Sequence, residues 1–266
     1  MKFKIDHDLH IHTNLSICSK DENQTPSALL EYAKKNNFNK ICVTDHYWDD
    51  AVPCNSAVNW WYEAQNFDHI SKYKPLPVDN DVKFLFGCEA DMDSDNVIGL
   101  PKERYDDFDF IVVSTTHFHH MAGGVWEDKS NKSIAKRWIE RMYAVISSDL
   151  PFYKVGIAHP ACGLLNKKSR EDYLETLNLI ADKEYLEVFS AVSKVGVGIE
   201  INVGDFKFSD DESETVLRMF RIAKECGCKF YLGSDAHYNS QFENTITYFE
   251  KAIELLDLKE SDKFIF

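Results

Sequence analysis

Seven short runs rich in β-branched and aromatic residues recur along the chain, and nearly all of them end on a histidine, an aspartate or a glutamate. Segments with apolar residues at helical spacing follow most of these runs. This alternation is typical of parallel strands that are joined by crossover helices. The predicted strands are 3–9, 40–44, 83–88, 110–116, 154–158, 197–202 and 229–233.

Local sequence signals place the helices between these strands. Thr25-Pro26 is typical of a helix start, with an N-cap followed by proline at the first helical position. Ser209 and Glu212 form a predicted capping box, and the helix that follows them is predicted to end at Gly227. Helical spacing also predicts helices over 134–146, from about Ser169 to Ile180, and over 246–256.

The placement of the polar residues favours a closed barrel over an open sheet. An open sheet binds its ligand near one switch point, whereas a barrel brings the carboxyl ends of all its strands to one mouth. Every predicted strand other than the sixth supplies a polar residue at its carboxyl end. We therefore predict an α/β fold, a (β/α)7 TIM-like barrel, that occupies residues 1–266 as a single domain, because 266 residues suit one barrel.

Composition narrows the class of partner. The net charge of −14 disfavours binding to a nucleic-acid backbone and favours a small-molecule substrate. The first seven residues lack the apolar segment of a signal peptide, and the chain contains no run of about 18 apolar residues. Seven cysteines, an odd number, do not indicate a disulfide framework. We expect a soluble cytoplasmic protein that does not bind membranes, and the sequence leaves its oligomeric state open.

The polar residues at the strand ends are of the types that bind transition metals. His10 and His12 alternate along a strand and therefore point to the same side. The candidate metal ligands are His10, His12, His46, Glu89, His117, His159, Asp235 and His237. Imidazole combined with carboxylate suits zinc, manganese or iron better than magnesium or calcium. One ion does not need eight ligands, so two or three divalent ions are predicted.

Such a site predicts metal-assisted hydrolysis of a phosphate ester. Mostly neutral imidazoles leave the bound ions with positive charge that attracts a phosphate oxyanion. A hydroxide that bridges the ions would attack phosphorus. Glu89, Asp235 and His237 are the candidate catalytic residues. The sequence contains neither a glycine-rich phosphate loop nor a Gly-x-Ser-x-Gly elbow.

Four further residues are candidates for substrate binding. His119 and His120 lie in a glycine-containing loop and are candidates for protonating the leaving group, with a solvated loop as the alternative. Asn202 either contacts substrate or fills a polar position inside the barrel. Arg137 either approaches the phosphate from its helix or is simply solvated.

The motifs taken together, His10-Ile-His12, Thr44-Asp45-His46, Glu89, His117, His159-Pro160 and Asp235-Ala-His237, resemble in order and spacing those of the PHP (polymerase and histidinol phosphatase) family. Gly156-Ile-Ala-His159-Pro160 and Gly198-Ile-Glu-Ile-Asn202 resemble the stand-alone phosphoesterases of that family, histidinol phosphatase among them. The resemblance implies a distorted seven-stranded barrel with a trinuclear metal site. It also implies L-histidinol phosphate as the first substrate to consider.

By the same resemblance, each ion has its own ligands. One ion would be held by His10, His12, Glu89 and Asp235, a second by Glu89, His117 and His159, and a third by His46 and His237. Glu89 would bridge the first two. Where family members place a further histidine or aspartate, this chain has Ile17-Cys18-Ser19. Either Cys18 binds the third ion as a thiolate, or it packs beside the barrel and Asp21 or no residue completes that site.

Three alternatives to a small-molecule phosphatase stay open at the level of sequence. One is a nuclease or nucleotide phosphoesterase of the same family, which the acidic composition opposes. Another is a metal-stabilised binding module without turnover. The third is hydrolysis of a C–N bond, because similar barrels host both chemistries and a fold does not choose between them.

Overall fold

The computed structural model describes residues 1–56, 59–118 and 128–266. Its strands all run parallel and are short. They are β1 His7–Ile11, β2 Lys40–Val43, β3 His46–Tyr47, β4 Lys83–Ala90, β5 Phe110–Ser114, β6 Val155–Ala158, β7 Gly198–Asn202 and β8 Lys229–Gly233. The two-residue strand β3 continues the path of β2 and pairs with β4, with His46 opposite Glu89.

The helices lie between the strands in the order that the sequence predicts. They are α1 Pro26–Lys35, α2 Asn59–Glu63, α3 Phe67–Ile70, α4 Asn131–Ile146, α5 Arg170–Leu179, α6 Asp182–Val195, α7 Ser213–Glu225 and α8 Thr245–Leu255. Thr25 caps α1 by accepting a hydrogen bond from the amide of Ala28. The capping box of Ser209 and Glu212 is present and opens a 3₁₀ turn, Asp210–Glu212, that leads into α7.

The strands form a nearly closed barrel. Hydrogen-bonded neighbours follow the order β1-β2-β4-β5-β6-β7-β8. The first and last strands meet through a parallel bridge between Ile11 and Ala236, with the amide of Asp235 donating to the carbonyl of His10 at 2.7 Å. The fold is therefore the predicted (β/α)7 TIM-like barrel, and the carboxyl ends of its strands surround one mouth.

Two hydrophobic clusters fill the two sides of the barrel wall. The larger one packs the helices onto the outside of the strands. The smaller one fills the barrel interior and consists of Leu9, Cys42, Leu85, Phe110, Val112, Ala158, Tyr231 and Phe264. Phe264 belongs to the C-terminal segment, and its amide donates to the carbonyl of Phe230 at 2.7 Å. Apolar residues thus close the end of the barrel opposite the mouth.

One predicted boundary was wrong, and one helix was not predicted. The first strand does not begin at Phe3, because Lys2 forms a bridge with Lys259 and the amide of Phe3 donates to Leu258. The segment before His7 therefore pairs with the C-terminal part of the chain. The predicted helix from Ser169 is present as α5, and it is followed by a second helix, α6, that was not predicted.

Gly233, the last residue of β8, is a position at which a larger residue is expected to disrupt the barrel. A Cβ there would lie 1.8 Å from Oε1 of Glu200 and 2.7 Å from Cβ of His10. We expect Gly233→Ala to lower the free energy of unfolding of the metal-free protein by about 3 kcal/mol, because the buried neighbours have no space to move. Urea denaturation measures this change.

Gly163→Ala is the matched control, because nothing lies within 4 Å of a Cβ at Gly163. Its free energy of unfolding should stay close to that of the unmodified protein. Equal stability of the two variants would contradict the packing described for β8.

Candidate metal centre

Side chains from all parts of the chain converge at the mouth of the barrel. The structure brings together all eight predicted metal ligands, His10, His12, His46, Glu89, His117, His159, Asp235 and His237. A cavity of about 250 Å³ opens onto them and is lined by Cys18, His46, Trp61, Glu89, His117, Leu164, Asp235 and His237. The predicted convergence of separate strand ends on one site is present in the fold.

Glu89 lies at the centre of this group. It is fully buried near the end of β4, inside the strand rather than after it. Its Oε2 lies 3.0 Å from Nδ1 of His46 and 3.4 Å from Nε2 of His12, while its Oε1 lies 3.0 Å from Nε2 of His159. The two oxygens of one carboxylate therefore face two different sets of imidazoles, which is the arrangement that a bridging ligand requires.

The first set is built from β1 and the end of β8. Nε2 of His10 and Nε2 of His12 lie 3.2 Å apart, and Oδ1 of Asp235 lies 3.6 Å and 3.0 Å from them. With Glu89 Oε2 nearby, four donor atoms surround one point. The second set comprises His117 and His159, whose Nε2 atoms lie 3.7 Å and 3.0 Å from Glu89 Oε1.

The third set lies on the side of the cavity that faces the loop after β1. The rings of His12 and His237 are stacked at 4.0 Å, and His12 lies 4.7 Å from His46, measured between ring centroids. His12, His46 and His237 offer nitrogens that lie within 4.8 Å of one another. Cys18 lines the same cavity as His46 and His237.

All six histidines use Nδ1 for a hydrogen bond within the protein. His10 donates to Glu200 Oε1 (2.9 Å), His12 to Ser16 Oγ (2.8 Å) and His159 to Thr116 Oγ1 (2.8 Å). His46 (3.1 Å) and His117 (2.7 Å) both donate to Asp91, and His237 donates to the carbonyl of Asp235 (2.8 Å). Each ring is thereby left with its lone pair on Nε2. Fixing the tautomer in this way is characteristic of histidines that bind metals.

The donor set fits divalent transition metals. Oε2 of Glu89 is buried and lies 3.0 Å and 3.4 Å from ring nitrogens of His46 and His12, but no described residue gives it a hydrogen bond of good geometry, although a buried carboxylate oxygen normally has one. Several groups of three ligand atoms lie within 4.8 Å of one another. Neutral imidazole combined with carboxylate is the ligand chemistry of zinc, manganese and iron.

The electrostatics of the site keep its carboxylates ionised. Burial raises the pKa of Glu89, but the neighbouring imidazoles of His46, His117 and His10 outweigh burial and hold the pKa well below its usual value. The pKa of Asp235 is likewise lowered, because the imidazoles of His10 and His12 outweigh its burial. Burial and the nearby His237 lower the pKa of His12, which favours the neutral, metal-binding imidazole. Burial raises the pKa of the Cys18 thiol, but His46 and His237 lower it to about 7.

Two of the candidate ligands occupy a backbone conformation that non-glycine residues seldom adopt. His159 has φ of 26° and Asp235 has φ of 52°. Each follows the end of a strand, β6 and β8, where the chain turns sharply. Residues held in this region concentrate at functional sites, because the surrounding structure must offset their strain.

Sequence reasoning missed three buried groups that position the ligands. Glu200 accepts from Nδ1 of His10 and, at 2.6 Å, from the amide of His159. Asp91 accepts from both His46 and His117. Thr116 accepts from His159. The signal for Glu200 was present in the sequence, since it is the one acidic residue within the otherwise apolar run of β7.

Of the four predicted substrate-binding residues, the two that the structure describes, Asn202 and Arg137, are not in the lining of the cavity. Asn202 is buried at the end of β7, where its Oδ1 accepts from the amide of Gly204. Arg137 lies on α4 with its Nε 3.7 Å from Glu140. His119 and His120 lie outside the described residues. The role of all four stays a prediction.

The site and the barrel together define a class of protein: an α/β barrel with a cluster of transition-metal ligands at its mouth. The family model of the PHP domain matches residues 8–204. The chain belongs to the PHP domain family. No helix in the described ranges is both long and apolar enough to cross a membrane.

Two curated relatives match most of the chain. Both are named "Probable phosphatase". The one from Caldicellulosiruptor bescii is 23% identical over 96% of this chain and 92% of its own length. The one from Caldicellulosiruptor saccharolyticus is 23% identical over 87% of this chain and 80% of its own length.

Two solved structures share the fold. Histidinol phosphate phosphatase (HisK) from Lactococcus lactis subsp. lactis, solved in complex with zinc, L-histidinol and phosphate, has a TM-score of 0.55 and 16% identity over 93% of each chain. A candidate histidinol phosphatase from Listeria monocytogenes has a TM-score of 0.61 and 13% identity over 91% of this chain and 99% of that one.

Proposed function

We propose that this protein is a metal-dependent phosphatase that hydrolyses phosphate monoesters of small metabolites, with L-histidinol phosphate as the first candidate. The observation that carries the proposal is the convergence of imidazoles on the buried Glu89, whose carboxylate lies 3.0 to 3.7 Å from Nε2 of His10, His12, His117 and His159. The names of the curated relatives support the reaction class. The substrate follows from the Lactococcus lactis structure, which holds L-histidinol and phosphate on a similar fold.

The proposed ligands divide into two overlapping sets. His10, His12, Asp235 and Glu89 Oε2 would hold one ion, while Glu89 Oε1, His117 and His159 would hold a second. When bound, two such ions supply positive charge for the phosphoryl oxygens and acidify a water molecule for attack on phosphorus. Glu89 and Asp235 are the carboxylates that would fix the ions, with Glu89 facing both sets, and His237 lines the cavity beside them.

Carboxylates that lie behind the proposed ligands would reduce the net positive charge of a metal-loaded site. Two further carboxylates, Glu200 and Asp91, lie directly behind His10 and behind His46 and His117. Their negative charge offsets part of the charge of two divalent ions. The affinity for a phosphate therefore depends on direct coordination to the ions. Within the described ranges no lysine or arginine lines the cavity.

The cavity walls face the rest of the substrate. Trp61 and Leu164 are the apolar residues in its lining, and the ring of Trp61 meets that of His46 edge-on at 4.6 Å. An aromatic wall beside a metal site suits a leaving group with a flat or apolar part. The long segment between β3 and β4 supplies this wall through α2, which carries Trp61.

Phosphate release tests the proposal. Purified protein that has been stripped of metal and reloaded with manganese, zinc or iron(II) is incubated with a panel of phosphomonoesters that includes L-histidinol phosphate. We expect inorganic phosphate to be released, release to stop after chelation, and activity to return when the same ion is added back. If no ester in the panel releases phosphate with any of these ions, the proposal is wrong.

A labelled oligonucleotide in the same assay distinguishes a nuclease. With a net charge of −14, the protein should leave it intact at moderate salt. Cleavage of the oligonucleotide without release of phosphate from the small esters would replace the proposed function by the nuclease alternative.

A further inference from the structure

Helix α4 carries an arginine that is fully buried. Arg141 has no side-chain exposure to solvent, although arginine is almost never fully buried unless its charge is paired. Its Nε and Nη1 atoms are buried and have no hydrogen-bond partner among the described residues. Burying a cation in this way is costly. The contacts that the guanidinium does make therefore indicate why a cation is kept at this position.

The guanidinium contacts the chain neighbours of two residues of the metal centre. Its Nη2 donates to the carbonyls of Met92 and Asp93, both at 2.9 Å, and these residues directly follow Asp91. Its central carbon lies 4.9 Å from the centroid of the ring of Phe118, which directly follows His117. Asp91 and His117 are themselves hydrogen-bonded at 2.7 Å. One side chain of α4 therefore joins the two segments that bring Asp91 and His117 into contact.

The charge of Arg141 complements that of Asp91. Asp91 is a fully buried carboxylate, and its two oxygens accept hydrogen bonds from His46 and His117. Burial lowers the pKa of Arg141 to about 10, while the acidic groups around it, Asp91 among them, act to raise it, so the guanidinium stays protonated at neutral pH. A buried carboxylate is costly unless positive charge and hydrogen bonds compensate it. An ionised Asp91 is also the stronger acceptor for the two imidazoles.

We propose that Arg141 is a positioning residue that holds Asp91 in place and, through Asp91, orients the imidazoles of His46 and His117 for metal binding. Arg141 itself contacts neither an ion nor the substrate. Partners that orient a metal ligand are worth about ten- to a hundredfold in affinity, and a residue one contact further away should be worth about tenfold. The inference rests on the proposed function, because it requires that the site binds metal.

Arg141→Met tests the inference, because methionine keeps a long apolar side chain but removes the charge and the donors. We expect its affinity for manganese, titrated into metal-stripped protein, to fall about tenfold. Nuclear magnetic resonance of zinc-loaded protein with labelled histidines gives a second readout. The Nδ1 protons of His46 and His117 should lose the downfield shift that a hydrogen bond to carboxylate produces. The Nδ1 proton of His10, which is bonded to Glu200, should keep that shift.

Arg141→Lys is the conservative variant. Its ammonium keeps the charge and can donate to both carbonyls, so it should recover part of the affinity and part of the two histidine shifts. If Arg141→Met does not fold, the histidine signals of Arg141→Lys decide, with those of His46 and His117 displaced and that of His10 unchanged. Signals identical to those of the unmodified protein would overturn the inference.

Met142→Ala is the matched control, because Met142 is the next residue of α4 and is buried in the larger apolar cluster. It should destabilise the protein but keep the manganese affinity and all the histidine signals. Unchanged affinity in Arg141→Met, or an equal loss of affinity in Met142→Ala, would overturn the positioning role alone. Metal binding that depends on Arg141, without phosphate release from any ester by the unmodified protein, would overturn the phosphatase alone.

Discussion

Replacing Glu89 with glutamine is expected to lower phosphate release about a thousandfold, which corresponds to roughly 4 kcal/mol of transition-state stabilisation. The amide keeps the size of the side chain but loses the charge that lies between His46, His12 and His159. One neutral oxygen cannot bridge two cations. Steady-state rates on the best ester of the panel, together with metal content, measure the change.

Glu254→Gln is the matched control, because Glu254 is exposed on α8 and distant from the mouth. It should retain full activity and full metal content. Activity of Glu89→Gln within tenfold of the control, with its metals retained, would show that Glu89 does not bridge the ions.

Glu200→Gln is expected to weaken metal binding about a hundredfold, although Glu200 is not itself a proposed ligand. The carboxylate accepts from Nδ1 of His10 and from the amide of His159, and therefore positions one ligand from each of the first two sets. Glutamine can still accept one of these bonds, but its NH₂ group cannot accept the other. The affinity is measured by titrating manganese into stripped protein.

A positioning role predicts rescue by excess metal. High manganese should restore much of the activity of Glu200→Gln, because the ligands are intact and only their orientation is weakened. The same concentration should not restore Glu89→Gln. If Glu200→Gln bound manganese as tightly as the unmodified protein, the role assigned to the buried carboxylate would be wrong.

The convergence of the candidate metal ligands could be predicted because strand ends are visible in a sequence. Each of His46, His117, His159 and Asp235 follows an apolar run, and a barrel brings such residues together whatever their separation along the chain. The order of the motifs was enough to predict the convergence of eight ligands. The helix starts at Thr25 and Ser209 were predictable for a similar reason, since capping depends on residues a few positions apart.

What could not be predicted depends on contacts between distant segments. The amide of Phe3 donates to the carbonyl of Leu258, and nothing in the first ten residues predicts this partner. Asp91 follows Glu89 by two positions, but its role depends on the fold, because its two oxygens accept hydrogen bonds from His46 and His117. The spacing of Cys18 placed it in the right loop. Its place beside His46 and His237 in the cavity lining depends on how that loop packs against the segment after β8.

Anomalous diffraction from crystals of manganese-loaded protein tests the central claim most directly, because it locates each ion among named side chains. We predict one peak between His10, His12, Asp235 and Glu89, and a second between Glu89, His117 and His159. The two peaks should share Glu89 as a ligand. Crystals that bind manganese elsewhere, or that show no peak at the mouth of the barrel at neutral pH, would contradict the account.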